Sequence, residues 1–220
     1  MAKTTRIGVL ASGGGSNLQA IIDSVEAGKI MAEMAVVISD KEDAFALERA
    51  RKHGITAEYL DPKKGRRRED YDMTVLASLR RHKVDLVLLA GYMRLVSPVL
   101  IEAYPWKMMN IHPALLPAFP GLHVQKKAAD YGVRFSGCTV HFVDGGMDTG
   151  PVIIQAVVPV LPDDDGDTLG ARILKQEHRI YPEAVRLFTE GKLKVAGRKV
   201  IVKGSFAKDD ACMINPPIKG

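Results

Sequence analysis

The sequence predicts an α/β fold: a doubly wound, mostly parallel sheet forming a single domain. Two observations carry this. Short apolar runs, Arg6–Ala11, Met34–Ser39, Ala57–Leu60 and Val84–Ala90, alternate with longer stretches whose apolar residues recur at helical spacing. That β-α-β-α-β-α-β order implies parallel strands joined by right-handed crossovers, with helices on both faces. The composition agrees: 220 residues, 46% hydrophobic and 26% charged, suffice for one core of ordinary type. The domain is expected to span residues 1–204, with 205–220, polar and Pro-rich, as a tail.

Taken in order, Arg6–Ala11 reads as a buried parallel strand that stops at the glycines of Ser12-Gly-Gly-Gly-Ser-Asn17. Leu18, Ala20, Ile21, Ile22 and Val25 then follow helical spacing up to Gly28. Ser16 or Asn17 is expected to cap that helix, whose free N–H groups form an anion site. The turn is neither a dinucleotide fingerprint nor a P-loop. Gly13 and Gly15 fill two places of G-x-G-x-x-G, but Leu18 stands in the third, and no Lys-Ser/Thr follows. Met34–Ser39 is a second strand, 44–53 a helix closed by Gly54, and Ala57–Leu60 a third strand. A basic loop over Pro62–Arg68 leads to a helix over Glu69–His82, with Tyr71, Val75, Leu76 and Leu79 facing inward. Val84–Ala90 is the central fourth strand. Gly91-Tyr-Met-Arg94 sits at its carboxyl end, and Ser97-Pro98 opens a short helix as N-cap and first residue.

Met108-Met-Asn-Ile-His-Pro-Ala-Leu-Leu-Pro-Ala-Phe-Pro-Gly121 begins as a strand and ends as a loop stiffened by three prolines. Side chains alternate along a strand, so Asn110 and His112 share a face; Pro113 lacks an N–H, which leaves His112 at the strand's carboxyl end. Ligands of open α/β sheets bind there. Further on, 137–143 alternates, with Cys138, Val140 and Phe142 on one face and Thr139, His141 and Val143 on the other. The turn 144–150 places Asp148 on a glycine-rich loop ahead of a strand over Pro151–Val160. Residues 163–167 lack the EF-hand spacing and lead into a helix with Asp167 or Thr168 as N-cap. Leu169, Ile173, Gln176, Glu177 and Ile180 share a face of that helix, and one last strand is expected from about Lys192.

The candidate chemistry rests on Asn110, His112 and Asp148. An amide donates to a developing oxyanion, an imidazole donates or shuttles a proton near neutrality, and a carboxylate orients the imidazole. No serine or cysteine stands in a nucleophile motif, so the nucleophile is expected to arrive with the substrate and the protein to stabilise a tetrahedral intermediate. A metal hydrolase built on His112, His123, His141 or His178 is disfavoured, because none of these forms a short H-x-x-x-H or H-x-E pair. The net charge of +5 equals the contribution of Lys63, Lys64, Arg66, Arg67 and Arg68. This local basicity implies an anionic ligand near one loop and no nucleic-acid partner. No run approaches the roughly 18 apolar residues of a membrane span. Two unpatterned cysteines fit a cytoplasmic protein.

Asn110-Ile-His-Pro with Leu115-Leu-Pro, Pro120-Gly-Leu-His123, Ala90-Gly-Tyr-Met-Arg94 and Met147-Asp-Thr-Gly-Pro-Val152 resembles the 10-formyltetrahydrofolate-dependent formyltransferases. Ser12-Gly-Gly-Gly-Ser-Asn17 and Gln176-Glu-His-Arg-Ile-Tyr-Pro182 resemble the members that formylate a glycinamide ribonucleotide in purine synthesis. The resemblance runs from about Arg6 to Lys194. It implies a Rossmann-like formyltransferase fold and a catalytic trio of Asn110, His112 and Asp148. It implies 10-formyltetrahydrofolate as co-substrate, with no metal. It further implies ribonucleotide phosphate and ribose contacts at Gly15, Ser16, Asn17 and Glu177. Folate contacts would fall on Arg68, Met93, Arg94, Leu95, Val96, Asn110, Asp144, Gly145, Gly146, Met147 and Asp148. The partners would be small molecules, with the chain a monomer or homodimer. Two departures touch the phosphate end: Leu174 stands where related enzymes place Lys or Gln, and Ala118 where a basic residue often follows Leu-Leu-Pro.

Other readings are a formyltetrahydrofolate deformylase, which carries a regulatory domain before the catalytic one, and methionyl-tRNA formyltransferase, which carries an RNA-binding domain after it. Outside the class stand a non-catalytic phosphate- or nucleotide-binding module and an NAD-linked oxidoreductase. Leu18 and the weak ribose-binding candidate Asp40 disfavour the oxidoreductase.

Overall fold

The computed structural model describes residues 4–64, 67–204, 213 and 215. Its elements are β1 (Thr5–Ala11), α1 (Ser16–Glu26), β2 (Ala32–Ser39), α2 (Phe45–Lys52), β3 (Ala57–Tyr59) and a 3₁₀ turn (Pro62–Lys64). Next come α3 (Arg68–Arg81), β4 (Leu86–Leu89), α4 (Pro98–Ala103), β5 (Met108–His112) and α5 (Val124–Tyr131). The described chain closes with β6 (Phe135–Phe142), β7 (Val152–Pro159), α6 (Gly166–Thr189), β8 (Leu193–Ala196) and β9 (Lys199–Val202). The seven-stranded sheet runs β3-β2-β1-β4-β5-β6-β7, parallel through β5, with β6 and β7 antiparallel at one edge.

The central strands are apolar on both faces because both are covered. Ile7 and Val9 of β1, Leu88 of β4 and Met109 of β5 pack with α1, α2, α5 and α6. Leu10, Val87, Leu89 and Met108 pack with α3 and α4 on the other side. The chain winds outward from β1 to β3, then returns to β4 and winds the opposite way. A crevice must therefore open where β1 and β4 part at their carboxyl ends. Ser12 N donates to Gly91 O across that gap (3.1 Å), and Met93 N donates to Ser12 Oγ (2.9 Å).

Several boundaries differ from the sequence expectation. The N-cap of α1 is Gly15, in the left-handed region at φ 68°, and Ser16 and Asn17 are its first helical residues. A Cβ on Gly15 would lie 2.9 Å from Ala46 Cα, so the close approach of α2 makes glycine the capping residue. The cap of α6 is Asp165, whose carboxylate accepts from Asp167 N (3.0 Å) and Thr168 N (2.8 Å), while Thr168 Oγ1 accepts from Asp165 N (2.9 Å). That reciprocal box outcompetes a start at Asp167 or Thr168. The last expected strand is instead a hairpin, β8–β9, forming its own two-stranded sheet. The expected tail lies outside the described residues apart from Met213 and Asn215, as do Gly65 and Arg66 of the basic loop.

Candidate active site

β5 ends as Pro113 dictates, and alternation sends Met109 and Ile111 into the core beneath α6 while Asn110 and His112 take the opposite face. The antiparallel register sets His141 of β6 opposite Asn110 and Thr139 opposite His112. Asp148 comes from the β6–β7 loop. Its carboxylate reaches both β5 side chains: Oδ2 is 3.4 Å from His112 Nδ1 and Oδ1 is 3.4 Å from Asn110 Nδ2. Gly121 N, from the proline-rich loop, donates to Asp148 Oδ2 at 3.0 Å. The structure thus brings the expected trio together.

The loop holding Asp148 is tightly built. Asp148 itself has φ 54°. Asp144 Oδ1 accepts from Gly146 N (3.2 Å) and Thr149 Oγ1 (2.6 Å). A Cβ on Gly150 would stand 1.7 Å from Phe142 O, so only glycine lets the chain turn back against β6 there.

His112 is buried, and its Nε2 lies 2.9 Å from Phe119 O. A carbonyl only accepts, so Nε2 carries a proton, and a second proton on Nδ1 would face Asp148. His141 is the residue the sequence reading did not place in the site. Its Nδ1 donates to Phe142 O (2.8 Å), which leaves the Nε2 lone pair 3.2 Å from Asn110 Nδ2. Burial, chiefly, pushes His141 below its usual range, so it stays neutral and keeps that lone pair for the amide. The alternation already read through Thr139 and His141 was the available signal; what it lacked was the register against β5. Of the other histidines weighed as ligands, His123 caps α5 and His178 lies on α6, away from this cluster. Among the described residues no His, Cys, Asp and Glu group is arranged to hold a metal ion.

A cleft of about 500 Å³ runs from Ile111 and Pro113, the chain neighbours of Asn110 and His112, to the start of α1, lined by Ser16, Asn17, Leu174 and Glu177 among others. Asn17 Nδ2 donates to Glu177 Oε2 at 2.7 Å, while Asn17 Oδ1 is buried without a partner. Burial raises Glu177 above the ordinary carboxylate range, and the Asn17 bond opposes this. Gly15, Ser16, Asn17 and Glu177, the set the resemblance implies, therefore lie close together. The N–H groups in the first turn of α1 have no intrahelical acceptor and suit an anion.

The other expected ligand contacts are scattered. Met93 and Leu95 are exposed apolar groups, Val96 packs against the core under α3, and Arg94 stacks 4.6 Å over the Tyr71 ring. Gly145, Gly146 and Met147 form the exposed crest of the Asp148 loop. Arg68 is the first residue of α3, 3.8 Å from Glu69, and is not among the residues lining the cleft. Ala118 is exposed on the loop after β5.

Comparison with known proteins fixes the class. The formyl transferase family model matches residues 5–185, and the chain belongs to that family. Its relatives include phosphoribosylglycinamide formyltransferase of Escherichia coli, 46% identical over 85% of this chain and 88% of that protein. A crystal structure of glycinamide ribonucleotide transformylase 1 from Symbiobacterium toebii is 53% identical and superposes with a TM-score of 0.89, covering 90% of this chain and 94% of that one. The trifunctional purine biosynthetic protein adenosine-3 of Drosophila melanogaster is 47% identical over 84% of this chain. This chain spans only 14% of that relative's length. Among the described residues no helix is long and apolar enough to cross a membrane.

Proposed function

We propose that the protein transfers the formyl group of 10-formyltetrahydrofolate to the glycyl amine of 5'-phosphoribosylglycinamide, as a cytoplasmic enzyme of purine synthesis acting on small molecules. One observation carries the reading: an amide and an imidazole of β5 share a carboxylate, and their chain neighbours Ile111 and Pro113 line a cleft that runs to the free N-terminus of α1. The phosphate meets the N–H groups of the Gly15–Asn17 turn, and the ribose meets Glu177. The folate lies against Met93, Leu95 and the Asp144–Asp148 loop, whose apolar and backbone groups suit a planar ring system. That places the two reacting carbon and nitrogen atoms beside Asn110 and His112.

The glycyl nitrogen attacks the formyl carbon, and the carbonyl oxygen becomes an oxyanion. His112 Nε2–H, held by Phe119 O in the free protein, turns to that oxygen, which takes the place of the Phe119 carbonyl as acceptor. Asn110 Nδ2 supplies a second donor, turning to the oxygen the proton it offers Asp148 Oδ1 at 3.4 Å while His141 Nε2 holds the other. Asp148 Oδ2, 3.4 Å from His112 Nδ1, orients the ring so that Nε2–H faces the oxyanion. The bond from the formyl carbon to the folate nitrogen then breaks, and the proton lost by the amine passes through a water or His112 to that nitrogen. The product is the formylated ribonucleotide and tetrahydrofolate.

The test is the absorbance change of released folate, followed with and without glycinamide ribonucleotide. Turnover that requires the ribonucleotide is expected. Folate release without it would make the protein a deformylase, and wild-type turnover by His112→Asn would sink the mechanism.

A further inference from the structure

The phosphate end of the cleft poses an electrostatic problem. Its described lining residues include two carboxylates, Asp167 and Glu177, with the apolar Leu174, and no lysine or arginine. A dianionic phosphate would therefore meet N–H dipoles and acidic side chains with no cation in the wall. A structural answer lies one layer behind the turn, on α2. Arg49 Nε donates to Gly14 O at 2.8 Å, and its Nη1 donates to Gln19 Oε1 on α1 at 3.0 Å. Its guanidinium stacks 4.8 Å over the Phe45 ring, fixing its plane. The same helix holds the preceding glycine, because Ala46 N donates to Gly13 O at 3.0 Å. Gly15 closes against Ala46 and the Arg49 stem, where an added Cβ would stand 3.5 Å from Arg49 Cδ.

Two consecutive carbonyls of the turn are thus held by α2, away from any anion. Asn17, nine-tenths buried and lining the cleft, has an unpartnered Oδ1 at the same end. We infer that Arg49 is a positioning residue for the anion-binding turn and the cation that offsets the ribonucleotide phosphate from behind it. The inference rests on the proposed function for the identity of the anion, not for the geometry of the clamp. Its charge reaches across to α6, where burial and then Arg49 hold His178 below its usual range. A guanidinium suits this place better than an ammonium, since its fork serves Gly14 and Gln19 at once while its face lies on Phe45.

The experiment compares wild type with Arg49→Gln, Arg49→Lys and Arg49→Ala, all in the full chain. Arg49→Gln keeps an N–H for Gly14 O without the charge, and Arg49→Lys keeps charge without the fork. KM for the ribonucleotide should rise about tenfold in Arg49→Ala and Arg49→Gln, the size of one lost charge-assisted contact. The kcat and the KM for the folate should stay within about twofold, with Arg49→Lys recovering part of the loss. Titration with ribose 5-phosphate, read by calorimetry, should show the same order without any turnover. Equal ribose 5-phosphate affinity in wild type and a folded Arg49→Gln overturns the inference and leaves the proposed function standing. A wild type that binds ribose 5-phosphate but does not formylate the ribonucleotide overturns the function instead, and the titration still decides Arg49. A fall in kcat with both KM values raised alike would mark Arg49 as a packing residue and also overturn the inference.

Discussion

The two ends of the proposed site are built by opposite strategies. The anion end is a local object: one glycine turn, the helix that follows it and a brace from α2, with backbone N–H groups as the recognition chemistry. The proposed catalytic end is a meeting point. Asn110 and His112 come from β5, His141 from β6, Asp148 from the β6–β7 loop, and Gly121 and Phe119 from the loop after β5. Backbone geometry at the anion end tolerates little change in shape, while the catalytic end is sensitive to chemistry. Substitutions should separate the two.

The largest effect is expected at the catalytic end. Asn110→Ala should lower kcat by about 10²–10³, the usual cost of one oxyanion donor, with both KM values nearly unchanged. An equal loss confined to KM would place Asn110 in binding and collapse the distinction between the ends. Next is the anion end. Gly15→Ala forces a side chain into φ 68° and against Ala46 at 2.9 Å. It should destabilise the fold by about 1–3 kcal/mol and raise KM for the ribonucleotide while sparing kcat in the folded fraction. Chemical denaturation and steady-state kinetics read the two consequences separately.

Smaller still is the effect of charge at Glu177. Burial raises its carboxyl above the usual range. The folded state therefore holds this proton more tightly than the unfolded state, and the stability linked to it declines as pH rises through the folded value. Glu177→Gln keeps an acceptor for Asn17 and has no charge to desolvate. Its Tm should gain on wild type as pH goes from about 4 to about 7, and parallel Tm curves would show that the burial does not matter.

The smallest effect sharpens the comparison from outside the site. Arg198, in the turn of the β8–β9 hairpin, donates to Thr149 O at 2.5 Å and lies 3.8 Å from Asp144, so it braces the loop that holds Asp148. Its side chain is 74% exposed. Arg198→Ala should cost no more than about fivefold in kcat, within the range of exposed ion pairs, with that cost shrinking in high salt. A loss as large as that of Asn110→Ala would make the hairpin part of the catalytic machinery.

How much of this was legible beforehand follows the same division. Gly15, Ser16, Asn17 and the β1 run announce a strand, a turn and a helix within twelve residues, so the anion end could be read off locally. Even so, the cap fell on Gly15 because of Ala46, thirty-one residues away, which no local pattern reveals. At the catalytic end the alternation of Asn110 and His112 and the stop at Pro113 were legible. Asp148 was a candidate from its glycine-rich loop, and the resemblance to known sequences strengthened its place beside the other two. The role of His141 was hidden because the register of an antiparallel pair is set by two strands at once.

The sequence alone determined the α/β architecture, the order of the elements and the residue types available for chemistry, since apolar periodicity and glycine and proline positions act over a few neighbours. The tertiary structure decided three further things: which face of β6 met Asn110, how α2 clamped the glycine turn, and that the last strand folded on itself as a hairpin. Each depends on contacts between residues far apart in the chain, where packing and hydrogen-bond satisfaction outweigh local preference.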